Sequence, residues 1–114
     1  MANSRTSADY REQATVDTAP ASGGYFTNAI NPKQLNKGTT NKGARVIYFS
    51  VRGTGQMTVT LQFRPIGETT WTDFATFKRP VQQILEDERS GTRWRIGVKQ
   101  GARVSGSLTV GFNW

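Results

Sequence analysis

The sequence predicts an all-β protein, an antiparallel sandwich or barrel of six to eight short strands with a polar N-terminal arm. Three observations lead there. Apolar residues recur at every second position in several runs, the period of a strand with one buried face. Those runs are rich in β-branched and aromatic residues, which suit a pleated, half-buried surface. Glycine or proline interrupts them at intervals of about ten residues, the spacing of an all-β domain.

Residues 1–24, MANSRTSADYREQATVDTAPASGG, hold almost no large apolar side chain beyond Tyr10 and Val16 and end in a Pro, Ala, Ser and Gly cluster. They read as an extended arm or linker, and 25–114 as the domain. Residues 25–43 have isolated apolar side chains (Tyr25, Phe26, Ile30, Leu35) among Asn, Pro, Lys and Gly, which allows one or two short strands joined by loops.

ARVIYFSVR at 44–52 is apolar on both faces, as a central strand covered on both sides would be. After the GTG break, QMTVTLQFR at 56–64 alternates without interruption: Met57, Val59, Leu61 and Phe63 on one face, Thr58, Thr60, Gln62 and Arg64 on the other. The turn signal PIGETT leads to WTDFATF at 71–77, so these two runs are expected to pair as a hairpin. PVQQILEDE at 80–88 reads as a short strand followed by an acidic turn. A helical turn is the alternative there, but three acids would crowd its C-terminus, where negative charge is unfavourable. GTRWRIGVKQG at 91–101 sends Trp94, Ile96 and Val98 inward and Arg93, Arg95 and Lys99 outward. SGSLTVGFNW buries Leu108, Val110 and Phe112 and closes the sandwich at its edge with Trp114.

The chemistry available is narrow. Without cysteine there is no disulfide, thiolate metal site or thiol nucleophile. Without histidine, the commonest neutral-pH general base and the usual partner of a nucleophilic serine are missing. The expectation is therefore a protein that is not an enzyme and holds no metal or cofactor. No apolar run approaches the ~20 residues of a membrane span, and no membrane partner is expected.

Fifteen Lys and Arg against eight Asp and Glu give a net charge of +7, and ten of the fifteen are arginine, the residue suited to bidentate contacts with carboxylate or phosphate. Arg93, Arg95 and Lys99 share one strand face, with Arg89 and Arg103 in flanking loops, and these five are the candidate partner-binding residues. Such a face can also be a charged surface that discourages edge pairing. Protein is favoured over nucleic acid as the partner because no aromatic side chain for base stacking is legible on that face. The acidic run Glu86, Asp87 and Glu88 lacks the spacing of a calcium loop and reads as a turn that neutralises nearby arginines, or as an inter-subunit contact to the basic strand of a neighbouring copy. Trp71, Trp94 and Trp114 are assigned with Phe63, Phe74, Phe77 and Phe112 mostly to the core.

LQFRPIGETTWTDFATF, GTRWRIGVKQG and SGSLTVGFNW, in that order and spacing, resemble the small β-sandwich structural proteins encoded among the virion genes of tailed bacteriophages. The resemblance spans about residues 44–114 and ties no individual residue to a ligand. It implies a multi-copy, non-catalytic virion protein made in the host cytoplasm. Its expected role is capsid decoration or cement, with itself (as a trimer or ring) and the major capsid protein as partners. In that setting the arm would order on a neighbouring subunit. A neck, tail or fibre component, a carbohydrate- or receptor-binding sandwich, and a nucleic-acid-binding barrel are the alternatives.

Overall fold

The structure, a computed structural model, describes residues 3–7, 11–32, 47–87, 89 and 91–114. These residues form nine strands: β1 (Ser4–Ser7), β2 (Arg11–Val16), β3 (Tyr25–Phe26), β4 (Ile47–Gly53), β5 (Gln56–Arg64), β6 (Thr72–Phe77), β7 (Val81–Leu85), β8 (Arg93–Ser105) and β9 (Leu108–Asn113). They make two antiparallel sheets, one ordered β1-β2-β9-β4-β7 and the other β3-β8-β5-β6. The protein is the all-β sandwich its alternation predicts.

The alternating positions supply the core. Val59 and Leu61 of β5, with Trp94, Ile96 and Val98 of β8, face Phe49 and Val51 of β4 and Leu108, Val110 and Phe112 of β9, all buried. The hairpin of β5 and β6 forms as expected, as does the short strand over 81–85 before the acidic turn. In β4, Tyr48 lies on the outer face beside Ile84 of β7, so that strand is covered fully on one side only, where a strand covered on both sides was expected. Residues 33–43 of the expected loop region and 44–46 of the expected strand lie outside the described residues.

The reading of 1–24 as an arm is corrected. Within it, β1 and β2 belong to the five-stranded sheet, and β2 sits between β1 and β9. The register pairs Val16 with Leu108, Ala14 with Val110 and Glu12 with Phe112, so Glu12, Ala14 and Val16 face inward and are buried. The buried Glu12 carboxylate accepts hydrogen bonds from the backbone N–H and side-chain amide of Asn28, which partner a charge that would be costly to bury alone. Asn3 Oδ1 accepts from the Asp17 and Thr18 N–H groups and the Thr18 hydroxyl, closing the base of the β1–β2 pair. One inward valine, one alanine and a satisfied carboxylate are enough for a strand, although they leave little apolar signal in the sequence.

The last strand is also placed differently from expectation. β9 lies in the middle of its sheet, between β2 and β4, and Trp114 beyond it packs half-buried against the core.

A candidate arginine and aromatic docking surface

Among the described residues, the outer face of the four-stranded sheet gathers the most organised chemistry. In β8 the outward positions are Arg93, Arg95, Gly97 and Lys99, as alternation requires. Register with β5 then sets Arg93 opposite Arg64 and Arg95 opposite Gln62. Gly97 lies opposite Phe26 of β3, which turns the Phe26 ring onto the same face. Trp71, just before β6, folds over β5 from the other side.

The Arg95 guanidinium therefore sits between two rings, 4.2 Å from the Phe26 centroid and 4.3 Å from that of Trp71, and Arg64 approaches the same indole at 5.1 Å. A guanidinium favours such stacking because its planar, weakly hydrated cation meets the negative face of the ring. Arg95 Nε donates to Gln62 Oε1 at 2.8 Å, and Gln62 Nε2 donates to Asp73 Oδ1 at 2.8 Å. Asp73 is also ion-paired with Lys99. The hydrogen bonds from Lys99 and then Gln62 hold the Asp73 carboxyl below its ordinary value, against a smaller effect of burial. Burial, and secondarily the charge of Arg64, lower the Arg95 guanidinium from its usual value. Among the described residues neither Arg64, Arg93 nor Arg95 has a carboxylate in ion-pair contact.

The five basic residues singled out by sequence thus fall into three groups. Arg93, Arg95 and Lys99 share the outer face as predicted, and Lys99 is held by Asp73. Arg89 stands apart: it grips Asp87 through Nε and Nη2, both at 2.9 Å, and lies over the Phe63 ring. Arg103 is in β8 itself, where Nε and Nη2 donate to the Gly106 carbonyl and brace the turn into β9. Around Arg93 and Arg95, β8 is paired with β5 on one side and with residues 25–30 on the other, so those two charges do not guard an open edge.

The acidic run divides as well. Asp87 is an internal anchor. Its side chain is 4% exposed and accepts from the Trp94 indole N–H at 2.7 Å as well as from Arg89, so its contacts lie within its own fold. Burial pushes its carboxyl up, but the hydrogen bonds from Arg89 and Trp94 outweigh that and leave it below its ordinary value. Glu86 is exposed, and Glu88 lies outside the described residues.

Sequence reasoning missed Phe26, Gln62, Arg64, Trp71 and Asp73 as members of this face. Alternation set Gln62 and Arg64 outward in β5, but only the β5–β8 register shows that they meet Arg95 and Arg93. Trp71 is corrected from core to outer face, where it is half-buried. Trp94 is core, and Phe74 is 61% exposed while packing edge-on to Phe63 and Trp94. The face does carry aromatic rings, contrary to the sequence reading, but guanidinium groups lie against both of them.

Among the described residues no three His, Cys, Asp or Glu side chains gather in a way that could hold a metal ion, and no helix is long and apolar enough to cross a membrane. Comparison with protein-family models, curated proteins and solved structures finds no match.

Proposed function

We propose that this protein is a non-enzymatic structural protein of a phage virion, present in many copies, which decorates and cements the capsid through surface contacts. The observation that carries this reading is the outer face of the four-stranded sheet. Its chemistry is an array of guanidinium and aromatic groups on a β scaffold. Arginine and tryptophan are the residues that anchor protein interfaces. The resemblance of residues 44–114 to small virion sandwiches supports the same reading, and the net charge of +7 suits contact with an acidic protein surface.

The N-terminal segment has a different part from the one first expected. β1 and β2 complete the protein's own sheet, so self-association, as a trimer or ring, falls to other surfaces. A sugar-binding reading needs a free indole face, whereas Trp71 is covered by guanidinium groups, Trp94 is buried and Trp114 packs on the core.

Calorimetry of capsids built from the major capsid protein of the same phage genome tests the proposal. Adding the protein should raise the capsid melting temperature to a plateau at a fixed ratio of copies. An unchanged melting temperature at saturating protein would contradict it.

A further inference from the structure

We propose that the cleft between Arg64 and Arg93 is the docking site for an acidic side chain of a protein partner, with a carboxylate seated on the two guanidinium groups and an adjoining apolar group against Ile66. This inference rests on the reading of the protein as an assembly component.

The cleft has a volume of about 270 Å³ and is lined by Arg64, Pro65, Ile66, Gly67, Glu68, Gly91 and Arg93. Three observations point to its occupant. First, Arg64 and Arg93 are directly opposed across β5 and β8, and like charges at such positions destabilise a sheet. Arg95 follows two positions along β8, and no carboxylate pairs with any of the three among the described residues. Even Glu68, which lines the cleft, makes no ion pair with them. An incoming anion would relieve this repulsion and gain charge-assisted hydrogen bonds.

Second, Ile66 is 74% exposed beside these charges. Its position is built in: Gly91 has positive φ (+76°), and a Cβ there would strike the Ile66 side chain at 2.7 Å, so the glycine gives Ile66 its seat. An exposed isoleucine next to paired arginines offers an apolar and an ionic contact together, which a protein side chain and its neighbour can use and a sugar–phosphate backbone cannot. Third, the Trp71 ring already carries Arg64 and Arg95, so it offers little surface for stacking a base. The cleft is also small, at the lower limit of ordinary ligand pockets and of a size for side chains.

The test is an NMR titration of the isotopically labelled full chain. One arm uses a synthetic peptide of alternating glutamate and leucine, the other an oligothymidylate of equal charge. The peptide should shift the resonances of Arg64, Ile66 and Arg93 saturably. Arg93→Gln should weaken it about tenfold and Ile66→Ser about threefold, while Lys78→Gln, outside the cleft, should leave it unchanged. All three substitutions are at exposed positions, and an unaltered spectrum away from the cleft checks that the variants fold. Peptide shifts spread over all basic residues without saturation, or equal affinity for Arg93→Gln, would overturn the proposal. So would tighter binding of the oligothymidylate at these residues, or shifts of the same residues on dilution without peptide, which would mark a contact between copies. Failure here alongside capsid stabilisation by the wild type would remove the site and leave the cement reading standing. Peptide binding without capsid stabilisation would do the reverse.

Discussion

Asp87 shows how one side chain can look like a surface charge in the sequence and act as an internal anchor. Its neighbours Glu86 and Arg89 are exposed, yet its own carboxylate holds the indole N–H of Trp94, a ring 3% exposed. Asp87→Ala leaves that buried donor without its acceptor, so urea unfolding at neutral pH should show a loss of about 1–3 kcal/mol. Arg89→Ala should cost less than about 1 kcal/mol, because its guanidinium is largely in solvent. The Asp87 carboxyl is held below its ordinary value in the folded protein by its hydrogen bonds from Arg89 and Trp94, so its contribution is present above the unfolded-state value and is lost as pH falls through the folded one. The stability gap between wild type and Asp87→Ala should therefore narrow as the solution is acidified below about pH 4. Arg95 gives a second case. Lysine there keeps the charge but loses the planar stack between Phe26 and Trp71 and the Nε bond to Gln62, and Arg95→Lys should lower stability by about 1 kcal/mol in the same assay. Neither role was legible beforehand: the spacing of Asp87 and Trp94 along the chain says nothing of their contact, which the path from β7 into β8 creates.

At the scale of elements, strands with several large inward residues were legible and strands with few were not. β5, β8 and β9 each alternate three or more apolar side chains, and their faces were read correctly. β2 turns Glu12, Ala14 and Val16 inward, and only a partner for the glutamate, Asn28, makes that pattern a buried one. Its docking depends on β9. At Gly111 a Cβ would collide with the Glu12 carbonyl and approach the Gln13 Cα, so any side chain there pushes β2 outward. Gly111→Val should cost about 1–3 kcal/mol by overpacking, and limited proteolysis should then cut within the N-terminal segment faster than in the wild type. One residue on, Phe112 is fully buried at the centre of the sheet. Phe112→Ala should lower unfolding stability by about 3–5 kcal/mol, measured by chemical denaturation.

Across the whole molecule, the sandwich spends its apolar residues on one core and sets Arg64, Arg93 and Arg95 on an outer face where, among the described residues, no carboxylate pairs with them. Composition made the basic charge legible, and alternation put Arg93 and Arg95 on one face. Arg64, Trp71 and Phe26 entered the face only through the pairing of β5 and β3 with β8, a long-range property that no local window contains. The central claim is that the protein works by docking this face on an acidic partner surface of the particle. Co-sedimentation with the capsids it is proposed to decorate, at increasing salt and with Arg93→Glu beside the wild type, tests it most directly. Wild-type protein should pellet at a saturating copy ratio, weaken as salt rises, and lose at least tenfold in affinity on Arg93→Glu. Wild-type protein that stays in the supernatant at every salt concentration, or a variant that pellets as well as the wild type, would contradict the account.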